Sequence, residues 1–569
     1  MKMIFGRLVI GLGLGTSMLS GGAAFAVTPE QIEAIRNQPM LDPSKQQDIL
    51  QQQQKLQQKA DKKTIEEGEK DQNDKATKGP TFTLKAIRFS ESVYLTSDDL
   101  RKVVGPLLNT QVSFTDLQNL KTKIIELYHA KGVYTATAVL PQQKIKDGVV
   151  FMRLVEGSLG ELTVEDHTYT DEAFIRGWLR NDEQVSAIDI KALESDVLVF
   201  NRINDQRLQA ELHAGEQFGL TDIVIRVQEP ARNQGYLFWD NYGAPASGKN
   251  ELGAMYVRQK LWLDGDRLTV HALHSGNTNL DFKKDLDFIR NETGIMSLNL
   301  GYNLPLAQTG WRLGTTISST QSDIINGEFN DIGIRGKSDR VSVDASWLAY
   351  SELYQWVDVI AGADHTWSES DVVDSAKISE LKIAQYYGGA QLNWLSNLWQ
   401  LSLRQMIYYA YVDDQLNPDD QDVFLAKGDV NFIAQYPKYN VYGLVKGQWQ
   451  NATENGLVGS LSYSLGGPTN VRGYEPGYVS GDEGYFWSIE SHWNGLTWQG
   501  YHFDFSIFHD QGVVTSANPT EKLVSLGTGL SISGGPYVSF DFTAAESHKK
   551  INPDQSDWVV YGRLTCQCW

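Results

Sequence analysis

Gly466-Gly467-Pro468-Thr469-Asn470-Val471-Arg472-Gly473-Tyr474 is the stretch from which the rest of this chain can be read. Two glycines and a proline end any strand that reaches it, so the segment is a loop. It carries one cation, Arg472, between Val471 and Gly473, with Tyr474 following. A guanidinium held away from water needs an acid. Phe508-His509-Asp510-Gln511-Gly512 offers one downstream, in a run with strand character. Strand parity puts Phe503, Phe505 and Ile507 on one face and Asp504, Ser506, Phe508 and Asp510 on the other.

The same alternation fills the chain from Asn233 onward, where helical periodicity is lost. Met296, Leu298, Leu300, Tyr302 and Leu304 share one parity; Ser297, Asn299, Gly301 and Asn303 share the other. Trp399, Leu401, Leu403, Ile407, Tyr409 and Tyr411 alternate with Gln400, Ser402 and Arg404, and Trp487, Ile489 and Trp493 with Ser488, Glu490 and His492. One apolar, aromatic face and one polar face mean lipid outside and water inside. In hydrocarbon every backbone group must pair, so such a sheet closes into a barrel. About sixteen runs of this kind fit into residues 231–569. The many tryptophans, tyrosines and glycines (15, 25 and 51) agree, because they come without long apolar runs.

Upstream the pattern changes twice. Lys2 and Arg7, an apolar run from Leu8 to Leu19, and Ala24-Phe25-Ala26 compose a secretory signal, so residues 1–26 are expected to be removed. Thr28-Pro29-Glu30-Gln31 starts a helix over 27–45, and residues 46–79, rich in Gln, Lys and Glu, read as a flexible linker. Residues 80–157 then read as strand, two helices and two strands. Phe82 to Ile87 is the predicted first strand, Thr96-x-x-Asp99 caps a helix to Leu107, and Thr115-x-x-Gln118 caps the second. Val133 to Leu140 and Val149 to Val155 close the module. Residues 158–230 repeat the order, with helices near 170–179 and 186–200.

Val471-Arg472-Gly473-Tyr474 followed by Phe508-x-Asp510-x-Gly512 resembles the signature pair of the outer-membrane protein-translocating barrels. Asp240-Asn241-x-Gly243, placed by the same reading in the first barrel strand, resembles the opening of the two-partner secretion transporter branch, the TpsB family. The two upstream modules resemble POTRA domains. The resemblance implies a transmembrane β-barrel of sixteen antiparallel strands, preceded by two periplasmic α+β POTRA domains and an N-terminal plug helix. The loop around 466–483 would fold back into the barrel and Arg472 would meet Asp510 on its wall. The implied partner is a large secreted β-helical exoprotein of adhesin or haemolysin type. The implied setting is the lipid of a Gram-negative outer membrane, with the chain a monomer. An insertase of the same superfamily and a small-solute porin are the rival readings. Two POTRA-like units argue against the first, and periplasmic docking domains argue against the second.

Other chemistries find little support. A net charge of −20 disfavours nucleic acid. No nucleophile elbow, His-Glu-x-x-His or P-loop is present, so no enzyme, metal site or cofactor is expected, and export would draw no ATP. Cys566 and Cys568 are the two cysteines of the chain. As neighbours on one face of a strand they would form a strained disulfide, so they read as small apolar residues. They share parity with Leu564, Val560 and Trp558, whereas Arg563, Thr565 and Gln567 share the parity of the terminal Trp569, which departs from the usual barrel end.

Overall fold

A computed structural model describes residues 81–568, apart from 132, 134–135, 181–189, 217–218, 277–292, 307–308, 328–329, 331–332, 373–376, 417–419, 516–519, 536 and 552–554. The signal peptide, plug helix, linker and Trp569 lie outside the described residues. The described chain divides at Glu229–Pro230 into two compact units.

The first unit holds both α+β modules. Module one runs β1 (Phe82–Thr83), β2 (Ala86–Phe89), α1 (Ser97–Val104), β3 (Gln111–Val112), α2 (Phe114–Ala130), β4 (Thr137–Val139) and β5 (Val149–Val155). Strand β5 lies between β2, which runs parallel to it, and β4, which is antiparallel. Leu100 and Val104 of α1 and Leu120, Ile124 and Tyr128 of α2 bury against Ala138, Met152 and Leu154 of the sheet. The expected first strand is split: β1 pairs β3, while β2 joins the main sheet. Thr96 and Asp99 form the expected capping box, but the second helix starts from Ser113 and Asp116, two residues ahead of the predicted Thr115. The Asp116 carboxylate takes the Ser113 N–H at 2.7 Å, a charge-assisted bond that Gln118 cannot match.

Module two repeats the topology with β6 (Ser158–Glu165), α3 (Glu172–Arg176), α4 (Ile190–Ile203), β7 (Arg207–Ala214) and β8 (Leu220–Gln228). Here β8 is central, parallel to β6 and antiparallel to β7. Trp178 and Phe200 meet edge to face at 5.5 Å in its core. Helix α3 starts two residues later than expected because the loop before it is held by a side chain from elsewhere. Glu229, just past β8, accepts the N–H groups of Thr168 (2.9 Å), Tyr169 (3.2 Å) and Thr170 (2.8 Å). Glu156, just past β5, does the same for Val93 (2.9 Å) and Tyr94 (3.3 Å), and receives the Tyr128 hydroxyl at 3.0 Å. Each module thus ends in a carboxylate that satisfies backbone donors ahead of its first helix. Burial pushes the Glu229 pKa up, but the hydrogen bonds from Thr168 and Thr170 outweigh it and bring it down to about 2.

The second unit is one closed barrel. Its strands are β9 (Asn233–Asp240), β10 (Asn250–Gln259), β11 (Arg267–Gly276), β12 (Thr293–Leu306), β13 (Trp311–Asp323), β14 (Ile334–Glu352), β15 (Gln355–Val372), β16 (Lys377–Leu395), β17 (Trp399–Asp414), β18 (Gln421–Tyr436) and β19 (Val441–Ala452). A small hairpin, β20 (Tyr463–Leu465) with β21 (Val479–Gly481), belongs to the loop that follows. The wall resumes with β22 (Glu483–Trp498), β23 (Tyr501–Thr515), β24 (Glu521–Gly534), β25 (Val538–Ser547) and β26 (Trp558–Gln567), and β26 pairs β9 to complete sixteen strands. No helix among the described residues is long and apolar enough to cross a membrane; the strands cross instead.

Parity behaves as read. On β22, Ile489 is 53% exposed on the outer surface while neighbouring Ser488 is 1% exposed on the inner. Met296, Leu298 and Leu300 are exposed outward, with Ser297, Asn299 and Asn303 buried inward. At the end of the barrel where β9 begins, connections are short and studded with exposed Trp262, Tyr354, Tyr439, Trp498, Tyr501 and Tyr537. These form one aromatic girdle at a membrane boundary. The long segment between β19 and β22 starts from the opposite end.

Candidate functional site

The loop between β19 and β22 turns back into the barrel and sets Arg472 against the wall. Arg472 donates Nε–H to Asp510 Oδ2 (2.8 Å) and Nη2–H to Asp510 Oδ1 (2.7 Å), a two-pronged pair. Its backbone N–H reaches the same carboxylate at 3.1 Å. The guanidinium carbon lies 3.3 Å from the centroid of the Phe508 ring, so the residue shares the lumen face of β23 with Asp510 and forms a floor for the cation. Arg472 is 11% exposed and Asp510 is not exposed.

Two neighbours on β22 complete the seat. Ser488 accepts Nη2–H at 2.9 Å and donates its hydroxyl to Asp510 at 2.6 Å. Glu490 accepts Nη1–H at 3.3 Å and is paired in turn with Lys446 of β19 at 3.0 Å. The network continues through His492, 3.2 Å from Glu490 and 2.8 Å from Asp504, to the Tyr442 hydroxyl, which donates to Asp504 at 2.6 Å. Ser488, Glu490 and His492 were legible as lumen residues; nothing in sequence spacing showed that they complete the Arg472 seat.

The rest of the loop motif packs. Val471 buries with Leu465, Val479, Phe486, Val514 and Leu523. Gly512 makes room for it: a Cβ there would lie 2.5 Å from Leu465 and 3.1 Å from Val471. Gly473 passes so close to β24 and β25 that a Cβ would meet Ser525 at 2.6 Å. The Tyr474 ring is buried, its hydroxyl donates to the Lys549 carbonyl at 2.7 Å, and its carbonyl accepts the Tyr561 hydroxyl at 2.7 Å.

Asp240, Asn241 and Gly243 stand elsewhere, at the seam where β26 meets β9. Arg563 gives Nη2–H to Asp240 Oδ2 at 2.6 Å and Nε–H to the same oxygen at 2.8 Å, and both residues are buried. The Arg563 guanidinium lies 4.6 Å from the Phe238 ring and 4.5 Å from that of Tyr242. Just beyond the end of β9, the Asn241 amide acts as a further strand residue: it accepts the Gly562 N–H at 2.7 Å and donates to the Val560 carbonyl at 2.9 Å. Gly243 has no space for a side chain, since a Cβ would lie 2.1 Å from the Gly248 carbonyl oxygen. Sequence reasoning read Arg563 only as an interruption of the terminal pattern; it is the partner of the first-strand motif. Cys566, Leu564, Val560 and Trp558 do face outward, in keeping with the register expected.

Farther round the wall, Arg340–Asp364 (2.8 Å) and Arg404–Asp429 (2.7 Å) keep the inner surface charged but paired. No group of residues with metal-holding geometry occurs among the described residues.

A family model described as haemolysin secretion/activation protein ShlB/FhaC/HecB matches residues 219–533, more than half of the chain. The chain belongs to this family. It is a transporter of the outer membrane that passes a secreted partner protein, with its POTRA domains in the periplasm. A POTRA domain model of the ShlB type matches residues 82–157, module one. The transporter is 24% identical over 491 residues to the heme/hemopexin transporter protein HuxB of Haemophilus influenzae (strain 86-028NP), covering 79% of this chain and 80% of the relative. It is 22% identical to the outer membrane transporter CdiB of Dickeya dadantii (strain 3937), over 75% of this chain and 74% of that one. The solved structure of CdiB from Escherichia coli superposes with a TM-score of 0.65 at 20% identity, covering 93% of this chain and 99% of that one. This likeness covers the fold from modules to barrel.

Proposed function

We propose that the transporter takes its partner as an unfolded chain on the POTRA modules and passes it through the barrel interior while the Arg472 loop rearranges. The observation that carries this reading is the seat of Arg472. An extracellular loop is anchored deep on the lumen face by one guanidinium with three side-chain acceptors, in a wall that also carries the Arg340–Asp364 and Arg404–Asp429 pairs. A loop so held occupies the path, and it is held by contacts that can be exchanged. The modules support the entry step: β2 and β4 are edge strands, and an edge accepts an extended client through backbone hydrogen bonds that do not read sequence.

On this reading residues 27–45 form the plug helix and 46–79 the linker that lets it leave. Residues 80–157 and 158–230 are the two docking modules, and 231–569 the pore. The partner is a large β-helical exoprotein of adhesin or haemolysin type. The transporter works as a monomer in outer-membrane lipid, without catalysis, and folding of the client outside supplies directionality. Co-production with a large secreted protein encoded beside it tests the assignment. The client should reach the medium only when the transporter is present, and release without it would remove the assignment.

A further inference from the structure

The mechanism above leaves the two cysteines unused. Cys566 is near the end of the closing strand, paired with Val538 on one side and Leu237 on the other, both exposed on the outer surface. Cys568 follows the last strand residue, Gln567, and is exposed. Its backbone N–H still reaches the Gly235 carbonyl at 2.8 Å. Because β9 begins at this end, directly after module two, the pair stands at the periplasmic rim beside the girdle residue Tyr537.

The two sulfurs are 3.0 Å apart. That is closer than two side chains that merely share a strand face need to stand, and one thiol is placed to donate to the other. The expectation that the cysteines serve only as small apolar residues rested on both being inside a regular strand. Strand β26 ends at Gln567, between them, and the sulfurs meet even though the Cys568 N–H keeps its bond to Gly235.

We infer that Cys566 and Cys568 form a dithiol–disulfide couple, oxidised by a periplasmic disulfide-donor oxidoreductase. Exposed Cys568 attacks the donor disulfide as a thiolate, forming a mixed disulfide and expelling one donor thiolate. Cys566, already in contact, attacks the Cys568 sulfur, closes the intramolecular disulfide and expels the second donor thiolate. Two electrons pass to the donor, which leaves as a dithiol, and the two cysteine protons are lost to solvent or to the donor. The periplasm is kept oxidising by such donors. A ring spanning only three residues is tight, and strained disulfides are the readily reduced ones. The couple is therefore reversible by mild thiols. Its closure stiffens the chain where β26 makes its last contacts with β9.

The test uses full-length transporter in isolated outer membranes, trapped with acid, denatured, and treated with polyethylene glycol–maleimide before and after reduction. In most molecules no thiol should label before reduction and two should label after it, with an intact mass lower by two hydrogen atoms than the reduced form. Membranes from a host lacking the disulfide donor should label at both thiols without reduction. The variants Cys566→Ser and Cys568→Ser should each leave one thiol reactive. Two reactive thiols in wild-type protein from a donor-competent host would overturn the couple. So would a disulfide-linked pair of chains on a non-reducing gel.

Discussion

Replacing Arg472 by alanine removes the one cation that faces both Asp510 and Glu490 from the loop. Asp510, which has no exposure, would keep only the Ser488 hydroxyl and the loop N–H as donors, and Glu490 would keep Lys446 and His492. Breaking a buried pair from one side costs ~3–5 kcal/mol. At about 1.4 kcal/mol per factor of ten, the seated loop loses roughly a hundred- to several-thousand-fold of its preference over the unseated one. Asp510→Ala leaves Arg472 with Glu490 and Ser488, so it should be no worse than Arg472→Ala. Arg472→Lys offers a compact ammonium that cannot make two parallel bonds to Asp510. The double variant removes the orphaned carboxylate with its partner and should be no worse than Arg472→Ala alone. The assay is client in the medium, normalised to heat-modifiable barrel in the membrane, with protease access to residues 466–478 as the reading of loop position. All three single variants should secrete poorly from a folded barrel whose loop is newly cleavable. Normal secretion by Arg472→Ala, or single-variant defects that simply add, would refute the reasoning.

Asp240→Ala strands buried Arg563 at the seam, so the barrel should lose heat-modifiability at a lower temperature than wild type; an unchanged transition would deny the seam its ion pair. Glu229 has a carboxyl depressed from 4.5 to about 2, so its contribution to module two is complete above the unfolded value and lost as pH falls through the folded one. The protection of residues 168–176 in the full chain, measured as exchange relative to the intrinsic rate at each pH, should therefore fall between about pH 4.5 and 2, and in Glu229→Gln it should be lower already at neutral pH. Deleting residues 28–78 should raise single-channel conductance with the barrel intact, and unchanged conductance would remove the plug assignment.

The barrel was legible because lipid and water on opposite faces force a period of two, and that signal repeats in every strand. The lumen positions of Asp510 and Phe508 followed from the same parity. What parity does not carry is closure. Asp240 and Arg563 are 323 residues apart and meet only because the sheet joins its ends. Arg563, read in its own strand alone, looked like a flaw in an apolar register. Glu490 was readable as a lumen residue but not as a ligand of Arg472, since the loop's depth is set by packing of Val471 and Tyr474 rather than by spacing. The module-ending carboxylates did leave a signal: Val155-Glu156 and Gln228-Glu229 occupy the same place in both repeats. The shifted cap at Ser113 shows local chemistry overriding a motif, because the Asp116 carboxylate makes a stronger bond to its own cap N–H than the Gln118 amide could make at Thr115.

Tyr386 and Tyr387 are adjacent on β16 with opposite parity; Tyr386 is 58% exposed on the outer surface, while Tyr387 faces inward and meets Tyr408 across to β17 at 5.2 Å. A photo-cross-linking residue at each position, in cells exporting a client stalled by a folded C-terminal fusion, asks directly where the client travels. Passage through the barrel interior predicts a client adduct from position 387 and none from 386. Adducts from 386 alone, or none from 387 while the stalled client protrudes outside the cell, would contradict it.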